Sequence, residues 1–316
     1  MIRSIITRNI SSMQFRPSSS IVLRDFSLTL PHLSKVRSLS VRCLLRSVAL
    51  FSLLLASLPA QAADYILSDD SETRHLPPGV TVDSPGKYSC GVLTLGADDT
   101  ISIEDTKPAT ITFSGAFTTG DDNNINASGN ASELTLITTA ALTVGFHNFV
   151  NANVISTAAV NLGIASNLGG DLTTTGASGI VTLAAESWVA GHIVTDAGAV
   201  TAGELSTVDG GIATQAGVVT LGEDVWVVGG ISTAAGGVTV GALSRTFGGG
   251  IASETGVVTL GANVKIDGDI STIAGAITIG DGSATCGNVI STGAGVVTLT
   301  TNVIIGRSIS TIAGAI

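Results

Sequence analysis

The amino-acid sequence predicts an all-β protein, a parallel β-helix (a solenoid) with about 19 or 20 residues and three short strands in each coil. Glycines recur every 19 or 20 residues within the phrase I-[ST]-T-x-x-G-x-V-T-L-G, an apolar-Thr-apolar triplet follows the first seven of them, and no helical periodicity competes. A unit this short cannot bury an apolar face alone, so successive coils must stack on one another. The recurring glycines are Gly179, Gly198, Gly217, Gly236, Gly256, Gly275, Gly295 and Gly314.

The first strand of each coil is centred on the threonine three residues after the glycine. Its neighbours on both sides are aliphatic in nearly every coil, and this period of two is typical of a strand with one buried face. We therefore expect the threonines to point outward and the aliphatic side chains to point inward. The threonines are Thr182, Thr201, Thr220, Thr239, Thr259, Thr278 and Thr298.

Two further strands complete each coil. The strand that follows the threonine strand, called the third strand, lies five to seven residues after the threonine, as Val225-Trp226-Val227 follows Thr220. Glycine, Asp and Asn between the strands indicate corners, where the chain needs a positive φ or a close approach of backbones. A second strand is predicted to begin eight residues before the threonine, at Ile193, Ile212, Ile231, Ile251, Ile270, Ile290 and Ile309.

A longer repeat of about 39 residues is superimposed on the coils. In alternate coils the third strand is polar and carries Ser206, Ser244 or Ser283 at the inward position. We expect the core to narrow or to hydrate at these levels.

The chain divides into four segments. We expect residues 1–62 to form an N-terminal extension and signal peptide, residues 63–89 a lead-in or cap, residues 90–170 irregular early coils, and residues 171–316 regular repeats that are truncated at the C-terminal end. The signal is a basic stretch, an apolar run at 48–58 and an A-x-A site, which predicts cleavage near Ala62 or Ala63. The apolar run is too short to span a bilayer, so we expect no transmembrane segment in the mature chain. A transit peptide is the alternative interpretation.

Charge and cysteines exclude several classes of partner. Residues 63–316 carry six Lys and Arg against 23 Asp and Glu, a net charge of 6 − 23 = −17. Nucleic acid is therefore not expected as a partner, because phosphate binding needs clustered basic residues. Cys90 and Cys286 lie many coils apart, beyond the reach of a disulfide, so we expect two unpaired thiols.

Two surfaces are candidate sites. Trp188, Trp226, Arg245 and Lys265 fall on the outward position of the third strand and form a possible binding patch, with Arg245 and Lys265 on adjacent coils. The outward threonines form a possible rank for a surface ligand, and a regular row of hydroxyls and methyls suggests ice binding as one hypothesis. Such faces usually carry two parallel ranks, whereas this strand offers one.

Catalytic, metal and cofactor chemistry is not indicated. A β-helical enzyme that cleaves acidic polysaccharides would need carboxylates for a cation together with a base, and no cluster of acids faces Arg245 and Lys265 by spacing. Asp267, Asp269 and Asp281 lack the spacing of calcium-binding repeats. Histidines are scattered and no G-x-S-x-G elbow occurs. We expect no cofactor, no metal and no enzyme activity, with a polysaccharide-degrading enzyme as an alternative.

Residues 270–280 (ISTIAGAITIG) and 291–302 (STGAGVVTLTTN) carry a family resemblance. They resemble the repeat region of bacterial surface proteins related to mannose-sensitive haemagglutinin pilus biogenesis adhesins, over about residues 155–316. The resemblance implies surface display and further domains in a longer chain. The chain is similar, more weakly, to the short-repeat β-helices of bactofilins, which would imply end-to-end self-association.

The function expected from the sequence is therefore that of an exported, non-catalytic structural or adhesin-like protein, secreted or held at the bacterial outer membrane. Its expected partners are an extracellular surface, a glycan or a protein. The alternatives are an ice-binding protein, an end-to-end polymerising scaffold and the polysaccharide-degrading enzyme named above.

Overall fold

The computed structural model describes residues 62–72, 74–104, 108–291, 293 and 295–316. The predicted extension and signal peptide, residues 1–62, lie outside the described residues except for Ala62. Among the described residues no helix is long and apolar enough to cross a membrane.

The described residues form 36 strands in three sheets, with one 3-10 helix at Ala131–Glu133. Within the regular repeats the chain passes through the three sheets in turn and then repeats one coil further on, and neighbouring coils pair in parallel. The predicted parallel β-helix with three strands in each coil is confirmed. We name its faces the threonine sheet, the short-strand sheet and the isoleucine sheet.

The threonine sheet has 11 strands. They are Leu93–Leu95, Phe117–Thr119, Leu142–Val144, Val160–Leu162, Val181–Leu183, Val200–Ala202, Val219–Leu221, Val238–Val240, Val258–Leu260, Ile277–Ile279 and Val297–Leu299. The short-strand sheet has 12 strands. They are Asp64–Leu67, Thr100–Ile103, Asn124–Ile125, Phe149–Val150, Asn167–Leu168, Trp188–Val189, Thr207–Val208, Trp226–Val227, Arg245–Thr246, Lys265–Ile266, Ala284–Thr285 and Ile304–Ile305.

The isoleucine sheet has 13 strands. They are Val80–Ser84, Lys87–Cys90, Ala109–Phe113, Leu134–Thr138, Asn153–Ser156, Leu172–Thr174, Ile193–Thr195, Ile212–Thr214, Ile231–Thr233, Ile251–Ser253, Ile270–Thr272, Val289–Ser291 and Ile309–Thr311. The first two form an antiparallel hairpin. The residues predicted as a lead-in thus supply the first strands of two sheets.

The core is a column of aliphatic side chains along the solenoid axis. Val219 and Val258 are fully buried, as the alternating pattern requires. Burial of such a side chain stabilises the fold by roughly 1.5–3 kcal/mol. Because every coil repeats the same inward positions, this contribution is spread evenly over the stack.

The predicted inward serines are confirmed at Ser206, Ser244 and Ser283, which are fully buried. Each hydroxyl donates a hydrogen bond to a backbone carbonyl of the preceding coil, over 2.9 to 3.0 Å. Ser244 and Ser283 also accept the N–H of Val225 and Val264, over 3.0 Å each. The serines therefore join consecutive coils inside the core, and their polar groups are satisfied by the main chain.

One strand start was predicted wrongly. The inward residue that pairs with Ile270 and Ile309 is Val289, and Ile290 pairs with Ser271 and Ser310 on the outward position. The corner between Val289 and Val297 is one residue longer than the corner between Ile270 and Ile277. Counting eight residues back from Thr298 therefore places the start of this strand one residue too late. Because side chains alternate between the two faces of a strand, a shift of one residue assigns Ile290 to the inward face when it lies on the outward one.

The repeated glycines and threonines hold one corner of every coil. A Cβ atom at Gly217 would lie 1.9 Å from the carbonyl oxygen of Gly198, so the two backbones meet with no room for a side chain. The threonine at the third position of the phrase I-[ST]-T-x-x-G points inward and caps this corner with its hydroxyl. Thr195 and Thr214 donate to the carbonyls of Gly198 and Gly217 over 2.7 and 2.6 Å.

The two cysteines among the described residues, Cys90 and Cys286, are free. Cys90 is buried at the start of the solenoid, and Cys286 is exposed near its other end. Burial raises the pKa of the Cys90 thiol above its ordinary value.

Candidate functional site

The outward threonines form one unbroken ladder on the threonine sheet. Each of the seven predicted threonines pairs in register with the next, and Asn161 and Thr143 extend the row toward the N-terminus. The repeat is one coil, or about 4.8 Å. In the part of the chain that the structure describes, the seven threonine hydroxyls make no hydrogen bond to protein.

A second outward row on this sheet lies two residues before the threonines. Large aliphatic side chains alternate there with small residues, so the threonine ladder is bordered by an interrupted ridge. Because the ridge rises only in every second coil, the face has the 39-residue period and is not flat. The row reads Ile180, Ala199, Val218, Gly237, Val257, Ala276 and Val296.

The predicted binding patch is brought together on the short-strand sheet. Trp188, Thr207, Trp226, Arg245 and Lys265 follow one another in register, each on the outward position of its coil. The sequence placed all four patch residues in this one column, and the strand pairing is as predicted.

Trp226 lies at the centre of the patch and is held from three directions. Its indole N–H donates to a carboxylate oxygen of Asp224 over 3.0 Å. The ring of Phe247 packs edge-on with centroids 5.7 Å apart, and the Arg245 guanidinium carbon lies 5.8 Å from the indole centroid. The side chain still exposes 43% of its surface. Trp226 is therefore an exposed aromatic ring with little rotational freedom left to lose on binding.

A shallow groove of about 220 Å³ runs beside Trp226, lined by Leu205, Thr207, Asp224 and Trp226. Leu205 and, one coil beyond Asp224, Leu243 are about half exposed although both are aliphatic. Sequence reasoning missed these two leucines and Phe247. Their spacing could have revealed them. Leu205 lies two residues before Thr207, and Leu243 and Phe247 lie two residues before and after Arg245, which places all three on the outward side of the chain.

The remaining patch residues differ in their contacts. Trp188 is half-buried, and its indole N–H donates to Asp209 over 2.9 Å. Lys265 is exposed one coil beyond Arg245. Among the described residues neither Arg245 nor Lys265 forms an ion pair, and Arg245 is half-buried whereas Lys265 is exposed.

Two of the three acids considered for calcium binding are engaged by the main chain. Asp269 accepts the N–H of Asn288 over 2.7 Å, and Asp281 accepts the N–H of Thr301 over 3.0 Å. The side chain of Thr300 and the N–H and side chain of Thr301 hold the pKa of Asp281 below its ordinary value. No group of three or more His, Cys, Asp or Glu in the described residues is arranged to hold a metal ion. The geometry is suited to binding by an aromatic face, aliphatic contacts and hydrogen bonds.

Comparison of the chain with protein-family models, with curated proteins and with solved structures finds no match in any of the three.

Proposed function

We propose that this chain is an exported, non-catalytic β-helical protein that presents a binding surface outside the bacterial cell. The observation that carries the proposal is the exposed, immobilised Trp226 with its groove, on a chain in which only 4% of residues are aromatic. A rigid exposed aromatic ring beside aliphatic and hydroxyl groups favours a ligand that is partly apolar and partly polar. Glycans and protein loops both have this character.

Export is supported by the signal-like segment that ends at Ala62. The test is expression of the full chain in a bacterial host, followed by fractionation and N-terminal sequencing. We expect secreted or surface-bound protein that begins at residue 63 or 64. Uncleaved protein retained inside the cell would contradict the proposal of export.

Binding is tested on a glycan array and on immobilised extracellular matrix proteins with the secreted chain. Trp226→Ala is expected to lower retention at least tenfold, because it removes the exposed face and the groove wall. Ile304→Ala is the matched control, since it removes an exposed apolar side chain from the same outward column beyond the patch. Equal losses in both variants, or no retention of the unaltered protein, would contradict a site at Trp226.

Ice binding is the second candidate, favoured by the seven-threonine ladder with hydroxyls free of protein partners. The interrupted ridge beside the ladder argues against it, because a flat crystal face needs a flat partner. Thermal hysteresis of the purified protein, lost on Thr220→Tyr, would support it. End-to-end polymerisation, polysaccharide cleavage and kinship with the adhesin repeats stay predictions.

A further inference from the structure

A groove lies on the outer face of the isoleucine sheet, away from the Trp226 patch. Its volume is about 360 Å³, and it runs along the solenoid axis from His192 and Val194 to Asp269 and Ser271. Its floor consists of small outward side chains, among them Ala213, Ser232 and Ala252. We call it the Gly230 groove.

A capping column borders the groove. It consists of the residue that lies just before the first inward residue of each strand in the isoleucine sheet, and its side chain accepts the N–H of the equivalent residue one coil later. Asn153 accepts from Asp171 over 2.9 Å, Asp171 from His192 over 2.8 Å, and the Nδ1 of His192 from Gly211 over 2.9 Å. The pattern returns beyond the groove, where Asp269 accepts from Asn288.

Along the groove this column consists of Gly211, Gly230 and Gly250, which have no side chain to offer. The N–H groups of Gly230, Gly250 and Asp269 consequently have no hydrogen-bond partner within the described ranges. A Cβ at Gly230 would lie 3.9 Å from the nitrogen of Gly250, whereas one at Gly250 would collide with the carbonyl oxygen of Asp269. The donors lie in a row along the groove with the coil repeat of about 4.8 Å, and only Gly230 has room for a side chain beside them.

Packing does not require glycine at the centre of this row. A Cβ at Gly236 would lie 1.8 Å from a backbone oxygen, and one at Gly249 would lie 2.3 Å from a backbone nitrogen. A Cβ at Gly230 would meet nothing closer than 3.4 Å, and the residue does not have a positive φ. An Asn or Asp there would fit and would cap Gly250, as its neighbours in the column do. Its absence leaves the N–H of Gly250 open, a donor that the fold itself could satisfy.

We propose that the Gly230 groove binds a neutral, extended β-1,4-linked polysaccharide lying along the solenoid axis. The three aligned donors need acceptor oxygens repeated at about the coil spacing, and a sugar ring in such a chain advances by a similar distance. Carbonyls on one side of an extended peptide are spaced by two residues, about 6.8 Å, which does not match. The ligand is neutral because the mature chain carries a net charge of −17 by its formal count and would repel uronates.

Two serine hydroxyls in the floor of the groove offer further hydrogen bonds to the polysaccharide. Ser232 and Ser271 make no hydrogen bond to protein in the described residues, and both line the groove. They can donate to, or accept from, sugar hydroxyls above the floor. The ligand class proposed here does not depend on Trp226, which lies on a different sheet.

The experiment is isothermal titration of the mature chain with cellohexaose, mannohexaose and xylohexaose. Gly230→Asn is expected to keep or raise the melting temperature, because its side chain caps Gly250, and to weaken binding at least tenfold by filling the groove. A second blocking variant is Ser232→Arg, and its matched control is Ser310→Arg in the same outward column beyond the groove. Trp226→Ala should leave this affinity unchanged.

Three results would overturn the proposal. If the unaltered chain binds none of the three hexasaccharides, the open N–H groups are simply hydrated. If binding occurs but survives both Gly230→Asn and Ser232→Arg, the glycan lies elsewhere. Loss of binding only in Trp226→Ala would assign the glycan to the Trp226 patch.

Discussion

Two corners of each coil turn the chain from one sheet to the next, and they do so in different ways. At the corner before the threonine sheet, glycines stack so closely that a Cβ at Gly236 would lie 1.8 Å from the oxygen of Gly217. At the corner after it, one residue has a left-handed backbone, with φ of 59° at Leu205, 52° at Asp224 and 63° at Leu243, and in most coils that residue is not glycine. In these coils glycine mainly allows the backbones of neighbouring coils to approach closely, whereas the positions with positive φ are mostly occupied by other residues.

The two corners differ in the cost of adding a side chain, a steric overlap at one and a strained backbone at the other. A steric overlap with backbone cannot be relieved without moving a whole coil. A left-handed conformation in a residue with a side chain costs roughly 1–2 kcal/mol and needs no movement. We therefore expect substitutions at the two corners to differ in size and in sign.

The largest effect is expected for Gly236→Ala at the glycine corner. The added Cβ must separate the coils of Gly217 and Gly236, and we expect a loss of more than about 3 kcal/mol in the free energy of unfolding. Urea unfolding followed by circular dichroism measures it. The matched control is Gly230→Ala, which has room for its Cβ and should change stability by less than about 1 kcal/mol. Similar losses in the two variants would contradict the steric explanation.

The next effect is expected for Thr195→Val, which preserves shape and removes the hydroxyl that caps the glycine corner. The carbonyl of Gly198 would then lose its side-chain donor in a buried place, at a cost of about 1–3 kcal/mol. Thr201→Val, on the outward ladder, is the control and should be nearly neutral. A neutral result at Thr195 would show that the glycine corner holds without its cap.

At the left-handed corner we expect a gain. Leu205→Asn should stabilise the protein by about 1 kcal/mol, because Asn tolerates positive φ better than Leu. Thermal unfolding measures it, with Val228→Asn, an exposed residue without positive φ, as the control. If Leu205→Asn also weakens ligand retention, the strained leucine belongs to the Trp226 patch. Destabilisation would contradict the strain argument.

The smallest effect concerns Asp281, whose carboxylate caps Thr301 at a left-handed corner. Its pKa is lower in the folded chain than the ordinary 3.8, so its stabilising contribution is complete above about that pH and is lost as the pH falls through the folded pKa. Unfolding measured at pH 6 and pH 3 should show a smaller acid loss in Asp281→Asn than in the unaltered chain. An identical pH dependence in both proteins would contradict the role of this carboxylate.

Much of the fold followed from local spacing. The inward Val219 and Val258, the outward threonine ladder and the column from Trp188 to Lys265 were all predicted, since each depends only on a strand period of two and a constant coil length. Ile290 was misplaced because one corner gained a residue. The contacts of Trp226 with Phe247 and Asp224 could not be predicted, since side chains that share a face meet only where their corners orient them.

The sequence by itself determined the coil length, the three strands and the face of nearly every side chain, because a stacked repeat converts spacing along the chain directly into position. Only the tertiary structure decided which glycines are pressed against the backbone of the neighbouring coil and which leave a backbone N–H open. That distinction depends on distances of a few ångströms between coils. Gly236 and Gly230 look alike in the repeat, and they differ because one faces a carbonyl of the preceding coil and the other faces a groove.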